Sequence, residues 1–252
     1  MKKDLGIFVI LVVLCATVSF LNPRFLSGEN LQNTTRLIGI YGIFSIGVGM
    51  VIITGGIDLS IGSMIALMGV LLSFLLTDYG VPGAIAVAVV LAASIGLGLL
   101  HGVLITRLRV QAFIVTLCGL LFYRGLARFA ANDETKGFAG SENFEMLKNL
   151  ATGTLFGVPS PFVILIVVAV VMWVLLHRSV WGRYLFAVGR NEEAARYSGI
   201  NSKLMITSAY VICAFLTGIA SILVAFYTNS ISPSSHGNFY ELYAVAAAVL
   251  GG

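Results

Sequence analysis

Two stretches of this chain hold residue types that could do chemistry. The first is Thr54-Gly55-Gly56-Ile57-Asp58-Leu59-Ser60-Ile61-Gly62-Ser63. It interrupts an apolar run, with Leu37 to Ile53 before it and Met64 to Thr77 after it. An isolated acid in such surroundings is costly unless it is solvated, capped or paired. Adjacent glycines break a helix and allow backbone shapes that other residues resist. The stretch therefore reads as a break between two membrane spans, with Asp58 held by backbone or by water. Irregular backbone at membrane depth is tolerated only where protein buries it or a water-filled cavity meets it. A plain cap by Asp58 or Ser60 on the next helix fits the same letters. Arg124 and Arg128 lie toward the outer end of a later apolar segment. Either both snorkel to the interface, or Arg124 faces the bundle interior and a polar pathway.

The second stretch runs from Gly182 through Gly189, Asn191, Glu192, Glu193, Ala194, Ala195 and Ser198 to Gly199. Asn191 suits an N-cap, and two glutamates follow where the helix dipole favours them. Gly199 suits the residue just past a helix end. The pattern predicts a helix of about two turns, too short to be stable alone. It needs something to pack on: a partner protein, or the lipid headgroups if it is an interfacial helix.

Other chemistry is missing from the sequence. There is no G-x-x-x-x-G-K-[ST] phosphate loop, and the glycines near Gly96 and Gly98 do not follow a strand. His101, His177 and His236 are far apart, each at an expected span end, and no nucleophile–base pair emerges from spacing. Cys15, Cys118 and Cys213 sit in apolar segments without metal-type spacing and read as packing residues. The chain is thus expected to be no enzyme and to carry no metal or cofactor. Uphill movement of a solute would draw on an ion gradient or on a partner that hydrolyses ATP. Gradient-coupled carriers place ionisable residues within spans, and the candidates here are only Asp58 and Arg124, which favours the partner.

The elements that must position these residues are membrane helices. Of 252 residues 58% are hydrophobic and 10% charged, against about a quarter charged in soluble domains. Apolar stretches long enough to cross a bilayer recur along the chain. The fold class is an all-α polytopic membrane protein, a bundle of about seven complete spans plus a truncated eighth, broken near Gly55-Asp58. The expected spans are Leu5 to Leu21, Leu37 to Ile53, Ile61 to Thr77, Val81 to Leu100, Ala112 to Phe129, Pro161 to His177 and Leu204 to Tyr227. Asn22 to Arg36 and Ala130 to Pro159 are expected polar loops, the latter with Glu142 and Glu145. Residues 178–203 form the most charged loop. With the N-terminus cytoplasmic, nine basic residues lie on inner segments and four on outer ones, a positive-inside bias. The net charge of +4 flanks spans and so points to topology rather than to nucleic acid. Gly98 and Gly102, Ser45 and Gly49, and Gly62 and Ala66 have the spacing of close helix packing. Residues 1–252 read as one transmembrane domain, incomplete at its C-terminus because the last apolar run stops at Gly251-Gly252. Those glycines echo Gly55-Gly56, as internal repeats in transporters do, so a continuation resembling Asp58-Leu59-Ser60-Ile61-Gly62 is expected.

Gly55-Gly56-Ile57-Asp58-Leu59-Ser60-Ile61-Gly62-Ser63 resembles the signature of permease subunits of bacterial ABC importers for monosaccharides, the ribose, xylose and galactose type. Gly182-Arg183, Ala187-Val188-Gly189, Asn191, Ala194-Ala195 and Ser198-Gly199-Ile200 are similar to that family's ATPase-contacting segment. Thr116-Leu117, Arg124-Gly125-Leu126, Glu241-Leu242 and Gly251-Gly252 also match, in the same order. Tyr243 stands where the family usually has an acid, and Arg190 where a glycine is common. The resemblance implies a dimer of permeases, identical or paralogous, in the bacterial inner membrane. It also implies two ATP-binding subunits on the cytoplasmic face and a periplasmic solute-binding protein outside. Two alternatives stay open. One is an ABC permease for another small polar solute, such as a branched-chain amino acid or a signalling sugar. The other is a gradient-coupled secondary carrier using Asp58.

Overall fold

A computed structural model describes residues 2–138 and 144–251. Glu142 and Gly252 lie outside the described residues. The chain folds as helices because backbone N–H and C=O groups in lipid must be satisfied within each segment. Helix α1 spans Lys2–Leu21, a 3₁₀ turn Pro23–Leu26, and α2 Gly28–Ile53. Helix α3 runs Ile61–Ser73 and widens into a π-helical turn, Phe74–Asp78. Then come α4 (Gly83–Thr106), α5 (Ala112–Ala130), strand β1 (Lys136–Gly137) and α6 (Phe144–Thr152). Strands β2 (Thr154–Leu155) and β3 (Val158–Pro159) form a hairpin before α7 (Ser160–Arg178). Helices α8 (Val180–Arg190), α9 (Glu192–Tyr197) and α10 (Ser202–Thr228) follow. Strand β4 (Ser230–Ile231) pairs antiparallel with β1, and α11 covers Tyr240–Gly251.

Six helices among the described residues are long and apolar enough to cross a membrane. Leu5–Leu21 and Tyr240–Gly251 are shorter apolar helices, where a complete first span and a truncated eighth are expected. Two loops prove more structured than expected. Helix α2 starts nine residues before Leu37, at Gly28, because the Ser27 hydroxyl accepts the Asn30 N–H as a cap. Segment 130–159 contains α6, the β2–β3 hairpin and strand β1, which pairs with β4.

Helix α10 is the axis of the bundle, packed against α2, α3 and α4. Small residues allow it. A Cβ on Gly98 would press on the Tyr210 carbonyl, one on Gly102 on Thr207, and one on Gly47 on the Cys213 backbone. Close backbone approach of this kind drives helix association in lipid. Gly49, by contrast, meets only the Ala248 methyl, at 4.0 Å. Cys213 is buried as a packing residue, whereas Cys15 and Cys118 are on the exposed surface.

Candidate functional site

Helix α2 stops at a glycine with φ of +79°, Gly55, a left-handed turn that costs other residues. The N–H of Gly55 returns to the Ile52 carbonyl, and that of Gly56 to Val51. A Cβ on Gly56 would come within 2.7 Å of the Tyr210 hydroxyl, so α10 closes directly over the break. The Tyr210 hydroxyl donates to the Ile57 carbonyl at 3.1 Å, and Thr116 of α5 approaches the same oxygen.

Asp58 is 1% exposed. Its Oδ1 accepts the Ser60 backbone N–H at 2.9 Å and the Ser60 hydroxyl at 2.7 Å. The acid thus shapes the turn that launches α3, held by backbone and by a neighbouring hydroxyl. Its Oδ2 faces His101 Nδ1 on α4 at 3.9 Å, too long for a hydrogen bond. Both atoms are buried without a hydrogen-bond partner among the described residues. His101 Nε2 shares a 2.8 Å hydrogen bond with the Tyr123 hydroxyl of α5, and the rings stack. One polar cluster therefore ties the break to α4 and α5, while α10 covers the turn. Gly55, Gly56, Asp58 and Ser60 were legible as a group. His101, Tyr123 and Tyr210 were not, since nothing in the spacing links them to Asp58.

The two arginines of α5 part ways. Arg128 is exposed and grips Asp133 through two bonds, Nε to Oδ1 at 2.9 Å and Nη2 to Oδ2 at 2.6 Å. That bond holds the Asp133 carboxyl below its usual range. Arg124 turns inward, and its Nη1 donates to the Pro233 carbonyl at 2.8 Å and the His236 carbonyl at 2.7 Å. Arg124 makes no hydrogen bond to the Asp58 cluster among the described residues and lines a separate cleft with Ser63 and Glu241. His236 in that turn accepts the Ser232 N–H on Nδ1 at 2.7 Å. Burial pushes its pKa below the ordinary histidine value, and the nearby Arg124 charge adds to this.

The 178–203 stretch holds two helices where one short helix is expected. Ser179 caps α8 through the Gly182 N–H, and Gly182, Leu185 and Val188 form its buried stripe. A Cβ on Gly189 would strike the Ile53 carbonyl, so α8 rests on the last turn of α2, beside the break. Asn191 caps α9, its Oδ1 accepting the Ala194 N–H at 2.9 Å. Gly199 closes it with φ of +84°. Ala195 alone is buried on α9; Glu193, Ala194 and Ser198 face outward with Tyr197. Glu192 is exposed but accepts the Ser202 hydroxyl at 2.9 Å. A cleft of about 680 Å³ opens here, with Glu192, Glu193, Arg196 and Lys203 on its walls and Arg109 from the α4–α5 loop. No group of three or more metal-ligating side chains occurs among the described residues.

The geometry is that of a helical bundle with a buried break and a capped helix on one face. Residues 30–252 match the family described as branched-chain amino acid transport system / permease component. The chain belongs to this permease family. It is 38% identical to the ribose import permease protein of Escherichia coli K12 over 96% of this chain and 75% of that protein. It is 36% identical to the ribose import permease protein of Bacillus subtilis 168, over 99% of this chain and 76% of that one. Identity to a fructose import permease protein of Bifidobacterium longum is 31%, over 97% and 70% of the two chains. These relatives are transport components. No solved structure matches.

Proposed function

We propose that this chain forms the route for a monosaccharide through a bacterial cytoplasmic membrane, as the permease subunit of an importer driven by separate ATP-hydrolysing subunits. Similarity to proteins named for ribose and fructose import, along nearly the whole chain, carries the reading. The N-terminus is cytoplasmic, which the excess of basic residues on the inner segments supports. Residues 178–203 are the coupling loop. Helix α9 offers Asn191 to Gly199 to the ATP-binding subunit, and α8 passes motion to the end of α2 through the Gly189–Ile53 contact. Gly55, Gly56, Asp58 and Ser60 then form the joint at which α2 and α3 change their relation. A solute-binding protein docks on the opposite face, and a second permease copy or a paralogue completes the route.

The test is charge reversal on α9. Glu193 makes no hydrogen bond to the rest of the chain among the described residues, whereas Glu192 holds Ser202. Glu193→Arg should therefore abolish co-purification of the ATP-binding subunits and sugar uptake while the protein stays at normal level in the membrane. Unchanged uptake would remove the docking role. Glu192→Arg with Glu193→Arg should have at least the same effect.

A further inference from the structure

A cleft of about 310 Å³ opens between α3, α5 and the turn that precedes α11. Arg124 and Glu241 stand on its walls, with the Ser63 and Asn238 side chains beside them; Arg128 also lines it, but its charge is taken up by Asp133. Nη1 of Arg124 is occupied by the Pro233 and His236 carbonyls. The other guanidinium donors have no partner among the described residues. Glu241 accepts no hydrogen bond from another residue among those described, and its Oε2 lies 2.6 Å from the place a Cβ on Gly62 would take. Both charges line the same cleft, yet they form no ion pair among the described residues.

Half-buried opposite charges held apart forgo both full hydration and mutual pairing. Something else must hold them apart. The turn does so: Gly237 and Gly62 touch backbone to backbone, so close that a Cβ on either would strike the carbonyl of the other. A hydroxyl is the group that completes such a pair, since it accepts from a guanidinium and donates to a carboxylate. An anionic or cationic solute would meet one favourable and one repulsive charge, so the arrangement selects neutral solutes with several hydroxyls. The cleft is at the small end of ligand sites, about 300 to 1,000 Å³. Phe239, exposed on its wall, adds an apolar surface for a ring face. We infer that this cleft is a monosaccharide subsite on the outward part of the route, with Arg124 donating to sugar hydroxyls and Glu241 accepting from them. The inference rests on the sugar-import reading above and adds the residues that grip the cargo.

The test uses the whole assembly, permease with ATP-binding subunits and solute-binding protein, in proteoliposomes with labelled D-ribose and D-fructose. Sugar moved per ATP hydrolysed is the readout. Glu241→Gln and Arg124→Lys should each lower that ratio by about tenfold or more, the usual cost of losing a charge-assisted bond. Glu241→Asp should recover part of it. A wild-type ratio in Glu241→Gln overturns the subsite, as does a parallel fall in uptake and hydrolysis, which marks a structural role. A wild-type assembly that hydrolyses ATP but moves neither sugar overturns the import reading, and the subsite falls with it.

Discussion

Replacing Asp58 by alanine would leave the Ser60 N–H and hydroxyl without an acceptor in a site closed to water. A buried donor left unpaired costs about 1–3 kcal/mol. Asp58→Ala should therefore lower the thermal midpoint of the detergent-solubilised protein clearly, whereas Asp58→Asn, which can keep an oxygen toward Ser60, should lower it less. Equal losses in the two variants would show that charge, not the turn, is what the fold needs from Asp58. A pH effect belongs to His236. Burial holds its folded-state pKa below the ordinary value of 6.5. Between those two values the unfolded chain takes up a proton that the folded chain does not, so stability falls as pH drops from 6.5 through the folded pKa. A ring protonated on both nitrogens also cannot accept the Ser232 N–H. Protection of the amides across residues 232–239, measured against their intrinsic exchange rates at each pH, should therefore fall between neutral and mildly acidic pH, and His236→Asn should flatten the response. These partners explain what the letters could not show. Gly55-Gly56 and Asp58 announce a break by local chemistry, but His101 and Tyr123 reach it from α4 and α5, and only packing brings them there.

At the scale of one element, α9 is six residues long and held by its ends. A helix so short has no stability of its own, and Asn191 supplies an acceptor that would otherwise be missing. Loss of such a cap costs about 0.5–2 kcal/mol. Asn191→Ala should fray α9 and weaken ATP-subunit co-purification, and Asn191→Asp, which keeps the acceptor, should restore it. Equal capture by Asn191→Ala would mean the partner holds the segment in any shape. Both caps were legible because capping is a local pattern. Helix α8 was not, because Gly182 and Gly189 sit where a helix reading expects breaks. Those glycines are needed for contact instead: a Cβ at 182 would strike the Leu176 carbonyl, and one at 189 the Ile53 carbonyl. The start of α2 was missed for a related reason. Gly28 to Arg36 is polar, and apolar runs mark the lipid-facing length of a helix rather than its full length. The central helices were legible because lipid demands an unbroken apolar surface from each of them.

At the scale of the molecule, the question is where the driving force enters. A carrier coupled to an ion gradient must present its ionisable group to each side in turn. Asp58 is 1% exposed, with one oxygen committed to Ser60 and the other facing His101. Arg124 is fixed to two carbonyls of the turn before α11. Neither is placed to load an ion from solution in this conformation. The charged surface that is exposed is α9 with its flanking cleft, and α9 lies against α8 and thus against the end of α2. In the coupling proposed above, force applied there would reach the break through the Gly189–Ile53 backbone contact. The chain reconstituted alone should therefore concentrate no D-ribose or D-fructose under any imposed proton or sodium gradient, and accumulation should begin only when ATP, the ATP-binding subunits and the solute-binding protein are supplied together. In the full assembly, Gly189→Val should uncouple the two activities, because the added side chain pushes α8 off the Ile53 carbonyl while leaving the outward face of α9 in place. ATP hydrolysis would then persist with uptake reduced severalfold. Gradient-driven accumulation by the isolated chain would move the engine to Asp58 and make α9 incidental.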